Sequence, residues 1–152
     1  MTETIKINIS KDANNTKSAN FYNAIGLYVL NKQLKSGVIP SNTDGSFDPW
    51  DFIESITALN FIFKKEEAKK SFRWLKDNQN EDGSWFSKYS SSGEPIETNK
   101  PTHFSSYISV GLLHYYKTFS DLDFLEEMWP SLKKATNFQL NTKHKKEQFP
   151  GQ

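Results

Sequence analysis

The 152 residues carry nineteen Lys and Arg against eighteen Asp and Glu, a formal net charge of +1, and no cysteine. The charge balance excludes a global field for nucleic acid or anionic membrane, and the missing cysteines exclude disulfides, thiolate metal sites and a Cys nucleophile. Aromatic residues make up 14% of the chain, which marks a folded, aromatic-rich core rather than a disordered segment.

Residues 1–16 alternate weakly (Ile5, Ile7, Ile9) before turning polar, and read as an extended or flexible lead-in. They lack the basic start and apolar stretch of a signal peptide. Without a run of about 18 to 20 apolar residues anywhere, no membrane span is expected, and a soluble cytoplasmic protein is the default. Phe21, Ile25, Tyr28 and Val29 fall at helical spacing and predict a first helix over Ser18–Leu34, closed by Ser36-Gly37. A loop with Pro40 and the Asp44-Gly45 turn leads to Asp48-Pro49-Trp50-Asp51. There Asp48 suits the N-cap, Pro49 the first helical position and Asp51 the capping-box acid.

The second helix, Trp50–Phe63, is apolar on most of its circumference and is expected to be buried on several sides. The third, Lys65–Asn78, is amphipathic, with Ala68, Phe72 and Leu75 in one stripe. Residues 79–100 form a long connection too aromatic (Trp85, Phe86, Tyr89) for a linker, and loops of that length are usually functional. A fourth helix from Pro101 is again apolar nearly all round. The fifth, Leu122–Leu140, is amphipathic, with a kink or break expected at Pro130. Asn141–Gln152 read as a polar tail or a truncated connector. Three segments follow: the lead-in 1–16, helical repeats over 17–140, and the tail 141–152. Fully apolar helices alternating with amphipathic ones describe concentric layers, so the expected fold is all-α, an incomplete α/α toroid.

The string Phe72-Arg73-Trp74-Leu75, followed by Gln79-Asn80-Glu81-Asp82-Gly83-Ser84-Trp85, resembles the QW repeat of squalene cyclases and related α/α toroids. In that repeat Gln is expected to bond free amides at the next helix start, Gly to allow a positive-φ turn, and Trp to pack beneath it. Asp44-Gly45-Ser46-Phe47 echoes it 38 residues earlier (Ser46 to Ser84), which suggests a helical-hairpin repeat. The stretch Lys117–Pro130, with Thr118, Asp121, Phe124-Leu125 and Trp129-Pro130, resembles the helix-to-helix corner of glucoamylase-type six-hairpin glycosidases. Phe119-Ser120 stand where that clan often has Gly, so the turn should differ locally. Asp48–Glu54 resembles a loop-to-inner-helix segment of the same clan. It also resembles bacterial toroid proteins labelled prenyltransferases.

The resemblance implies a carbohydrate-processing protein acting on a saccharide. An isoprenoid toroid protein, or a non-catalytic sugar- or lipid-binding module, are the alternatives. The cyclase Asp-x-Asp-Asp run and the Asp, Cys, His zinc set of protein prenyltransferases are both missing, which speaks against catalytic prenyl transfer or cyclisation; no metal and no cofactor is expected. Glycoside hydrolysis uses two carboxyl groups, one protonated and one ionised. Glu54, taken to lie deep among Trp50 and Ile53, is the candidate acid. Asp51, one helical turn away, is the second catalytic candidate or holds a sugar hydroxyl. The competing reading has Asp48 and Asp51 as caps and Glu54 paired with a lysine. A second carboxylate across the cavity would come from further sequence, Asp44 or Glu94. Asp48, Trp50, Trp85, Asn99 and His103 are the candidate substrate-binding residues, against packing for Trp85 and an idle surface position for His103. His114 reads as a satisfied core residue. Five helices against about twelve in a closed toroid lead to the expectation of a chain that is inactive alone, forming a homo-oligomer or joining a missing toroid half.

Overall fold

A computed structural model describes residues 9–148, with side chains placed from 20 through 142. The described residues form five helices and one short hairpin: α1 (Ile9–Lys32), α2 (Pro49–Phe61), α3 (Lys65–Asp77), β1 (Lys88–Tyr89), β2 (Pro95–Glu97), α4 (Thr102–Phe119) and α5 (Leu122–Gln148). The fold is all-α, as the helical periodicities require.

Helix α2 starts where its sequence dictates. Asp48 is extended (φ −116°, ψ 159°) and its Oδ1 accepts from the Asp51 amide at 2.9 Å, with Pro49 at the first helical position. It ends in a tight reversal in which the Phe63 amide bonds Asn60 O and the Lys64 amide bonds Leu59 O. This is the double-bonded C-terminal turn that normally carries Gly at the left-handed position. Here Phe63 takes it, at φ 56° and 73% exposed. Helix α4 ends similarly, with Ser120 at φ 52° and its amide on Tyr116 O. The local difference expected at Phe119-Ser120 is therefore one of residue type, because Ser120 itself adopts the backbone that Gly would supply.

Two helix pairs stack in the same sense. Glu54 of α2 meets Tyr107 of α4, and Asn60 meets His114 further along. On the other layer, Lys65 and Lys69 of α3 reach Asp121 at the head of α5, Arg73 and Lys76 reach Glu127, and Gln79 reaches Ser131. Both layers thus run in step. Between them lies the core of Phe52, Ile53, Ile56, Leu59, Phe72, Leu75, Ile108, Leu112, Tyr115 and Met128. Gly111 permits the approach of α4, since a Cβ there would sit 2.6 Å from the Ile53 side chain.

The two Asn-x-Asp-Gly-Ser turns are built alike. In each, the Ser amide bonds the Asp Oδ1 (2.9 Å for Ser46, 3.0 Å for Ser84), and Asn Nδ2 donates to Ser Oγ (3.1 and 3.0 Å). The Gly amide returns to Asn O, with φ +82° at Gly45 and +91° at Gly83. A further repeated device joins consecutive outer helices. Gln33 Nε2 donates to Glu67 O and Ser71 Oγ of α3, beside Gly37, whose Cβ would lie 2.7 Å from Lys70 O. Gln79 Nε2 donates to Ser131 O of α5, beside Gly83, whose Cβ would lie 2.1 Å from Lys134 O. Both glutamines sit four residues before their glycine, and both glycines contact the carbonyl three residues past the one the glutamine bonds. Gln79 therefore binds the Ser131 carbonyl and hydroxyl in the next outer helix, and Gly83 O in its own turn, not free amides at a helix start.

Several sequence expectations change. Residues 9–16 are helical rather than an extended lead-in, because neither Gly nor Pro interrupts the run from Ile9 to Gly26; residues 1–8 lie outside the described residues. Helix α5 runs past Leu140 to Gln148, through what was expected to be tail, since Lys, Glu and Gln there favour helix and no breaker precedes Pro150. Residues 149–152 lie outside the described residues. Pro130 does not break α5; the Glu126 carbonyl it deprives of a donor sits on the solvent side, where Glu126 and Pro130 are both exposed. The 79–100 connection holds β1 and β2, anchored by the reciprocal Phe47–Tyr89 backbone pair at 3.0 and 2.9 Å. Helix α4, apolar nearly all round, leaves Val110 and Leu113 half exposed.

Candidate functional site

The N-termini of α2 and α4 share one end of the molecule, and most of the candidate site residues gather there. Trp50 and Tyr107 stack with ring centroids 3.8 Å apart and planes 3° from parallel, while His103 meets the edge of Trp50 at 5.6 Å. Glu54 ties this stack together: its Oε1 accepts from Trp50 Nε1 at 2.9 Å and from the Tyr107 hydroxyl at 3.1 Å. Burial pushes the pKa of the Tyr107 hydroxyl up, and the Glu54 carboxylate adds to the shift. Glu54 is exposed rather than sunk among Trp50 and Ile53. The reason is geometric, since Phe52, Ile53 and Ile56 claim the inward face of α2 and leave position 54 on the rim.

Asp51 is the carboxyl whose environment is perturbed. Asp51 is exposed at the surface, yet partial burial raises its pKa from the ordinary Asp value, the neighbouring Asp48 charge raises it further, and the Ser41 hydroxyl partly offsets both. Asp48 is thus a cap with an electrostatic consequence. Asp51 and Glu54 line one cavity of about 330 Å³ between α1 and α2, with Ile25, Tyr28, Val29, Ile39 and Ala58 as its apolar wall. The cavity exists because Gly26 packs directly on Ala58 and Ile62, which turns Ile25 and Tyr28 out of the core.

The remaining candidates lie elsewhere. Trp85 is 1% exposed, with its indole N–H on Leu75 O at 2.9 Å; it packs the turn from beneath and offers no face to a ligand. Asn99 closes the base of the β-hairpin, its carbonyl accepting from the Ser87 amide and its side chain from the Ser87 hydroxyl. Asp44 is engaged inside its own turn, where the Ser46 hydroxyl and amide hold its carboxyl below the usual range. Glu94 sits in the hairpin loop, its amide and carbonyl both bonded to Ser90. His114 is half-buried against Asn60 (3.2 Å), and burial lowers its pKa. Tyr107 escaped the sequence reading: a tyrosine on an apolar helix gives no sign of a partner 53 positions away. Among the described residues no three His, Asp or Glu gather as a metal set, and no helix is long and apolar enough to cross a membrane.

Comparison with known proteins finds a relative with a similar sequence. Over 123 residues, 81% of this chain, the sequence is 32% identical to the MMP endo-(1,4)-3-O-methyl-alpha-D-mannosidase of Mycolicibacterium hassiacum. The match covers 33% of that relative, so the chain spans about a third of its length. The A-macroglobulin TED domain model matches residues 52–150, from α2 through α5 and into the residues beyond. With that match covering most of the chain and an all-α core of stacked helix pairs beneath it, the chain belongs to the A-macroglobulin TED domain family.

Proposed function

We propose that this chain is the saccharide-binding, acid-bearing part of a carbohydrate-processing α/α toroid that hydrolyses mannosidic bonds, including those of 3-O-methylated mannose. The observation that carries the reading is the pair of carboxyls on one cavity, Asp51 with its pKa raised and Glu54 held by two hydrogen-bond donors. A glycosidic leaving group needs a protonated acid beside it and an ionised carboxylate nearby. Asp51 takes the first role and Glu54 the second, the reverse of the order expected from apparent depth along the helix. Burial favours the protonated form of Asp51, and the neighbouring Asp48 charge favours it further. Trp50 and Tyr107 orient Glu54, and His103 borders the same rim.

The relative's name supports the substrate class, and the helix pairs stacked in the same sense support the toroid. An isoprenoid ligand is served less well, because Asp51, Glu54, Ser41, Ser55 and Lys32 all reach the cavity. A sugar, with both hydroxyls and C–H faces, matches a cavity that brings acidic and apolar side chains together.

Titration of the labelled protein with methyl α-D-mannoside and 3-O-methyl-D-mannose, followed by NMR, tests the reading. The side-chain carboxyl signals of Asp51 and Glu54 should move together on binding, with Asp51 titrating above the ordinary Asp range in the free protein. Mannosides that leave both signals unmoved would overturn it.

A further inference from the structure

The cavity beside Asp51 and Glu54 does not end at Ser41. A second cavity of about 380 Å³ adjoins it, and Tyr28, Lys32, Pro40 and Ser41 line both. The two compartments differ in chemistry. The first combines Ile25, Val29, Ile39 and Ala58 with the two acids. The second presents Asn31, Asn42, Thr43 and the backbone of Gly45, with Leu34 at its margin. Asn42 Nδ2 is committed to Ser46, which fixes the side chain and leaves its oxygen for a ligand. Each compartment alone is near the small end of the range for ligand sites, roughly 300–1,000 Å³. In series they suit a ligand of two linked units.

The divide between them is itself informative. Tyr28 is 64% exposed, with Lys32 Nζ 5.5 Å from its ring centroid, so a flat apolar face and a cation lie together where a chain would cross. Ser41 also lines both compartments, and Asp51 lines the first alongside it. The boundary between the compartments therefore falls beside the proposed acid, where a bond between two sugars has to lie if it is to be protonated.

We propose that these cavities form one groove for two adjoining sugar units. The unit beside Asp51 and Glu54 presents an O-alkylated edge to Ile25, Val29, Ile39 and Ala58, and its neighbour presents free hydroxyls to Asn31, Asn42 and Thr43. An O-methyl group on the first unit replaces a hydroxyl that the apolar wall would leave without a partner. The assignment rests on the saccharide reading above and adds to it a second subsite and the residues that distinguish methoxyl from hydroxyl.

Calorimetric titration with three probes tests the groove: methyl α-D-mannoside, its 3-O-methyl derivative, and the α-(1→4)-linked disaccharide of 3-O-methylmannose. The disaccharide should bind about tenfold or more tighter than the methylated monosaccharide, because the second unit joins an already anchored first one. Asn31→Ala and Thr43→Ala, both at exposed positions, should each reduce that gain while leaving monosaccharide affinity unchanged. Val29→Thr, nearly equal in volume, should narrow the preference for the methylated monosaccharide. A disaccharide that binds no tighter than its monosaccharide, or a gain untouched by both exposed-site variants, overturns the groove while the single-sugar reading stands. Failure of all three probes to bind removes the saccharide reading and the groove with it.

Discussion

Replacing Gly83 by alanine separates the conformation of a turn from its docking, because Gly45 supplies a matched control. Both glycines occupy the same Asn-x-Asp-Gly-Ser turn at nearly the same positive φ. An L-residue in that region costs roughly 1–2 kcal/mol. At Gly45 little else is added, since the nearest atom to a new Cβ is the Ser91 Cβ at 3.5 Å, an ordinary contact. At Gly83 the new Cβ would lie 2.1 Å from Lys134 O and 2.4 Å from Lys134 C, both backbone atoms of α5. The turn and α5 must then part by about an ångström, which breaks the Gln79–Ser131 hydrogen bonds at 3.0 and 2.8 Å. Two such bonds contribute about 1 kcal/mol each, and lost packing beneath Trp85 adds to them. Gly83→Ala should therefore destabilise by about 3–5 kcal/mol against about 1–2 for Gly45→Ala, with each kcal/mol worth roughly 2–4 °C in a domain this long. Urea and thermal unfolding followed by far-UV circular dichroism read both. Equal, mild shifts for the two variants would refute the docking argument, and equal, large shifts would mean that the turn backbone alone sets the cost.

Ser120→Gly should stabilise by about 0.5–1 kcal/mol by relieving the left-handed backbone after α4; a fall in the urea midpoint would show that the Ser side chain earns its place there. Trp85→Phe should cost about 1–3 kcal/mol, because it strands the Leu75 carbonyl that the indole N–H satisfies, and an unchanged midpoint would argue that water takes over. Arg73 and Lys76 hold the Glu127 carboxyl down to about 2 from an ordinary 4.5. That stability is present above the unfolded value and lost as pH falls from about 4.5 towards 2. The pair is largely solvent-screened, so Glu127→Gln should cost no more than about 1 kcal/mol at neutral pH and flatten stability across the acid window. A variant with the parent's acid slope would place the titration elsewhere.

The sequence announces α2 because Asp48-Pro49 is local chemistry: cap and first residue are adjacent, and nothing distant has to be known. The Asp-Gly-Ser turns are legible for the same reason. The start of α1 is not, because its first residues are polar and weakly periodic, and only the lack of breakers marks them as helix. The depth of Glu54 is not legible, because a helix apolar on most sides does not reveal which neighbour takes which face. The core takes Phe52, Ile53 and Ile56, and the rim keeps Glu54. Tyr107, Gln79 and the α1 wall of the cavity depend on partners tens of residues away. Their roles are properties of the stacked helices, and no local pattern encodes them.

Because each Asn-x-Asp-Gly-Ser turn satisfies its own polar groups, the side chain of the aromatic residue that follows is not needed to hold the turn itself. Phe47 and Trp85 occupy that place, and both are fully enclosed between layers. The turn works as a fixed clamp and the aromatic as a wedge whose thickness sets the local spacing. A chain built this way can change the gap between its layers, and with it the width of a cavity at the helix N-termini, by one substitution that leaves every hydrogen bond of the turn in place.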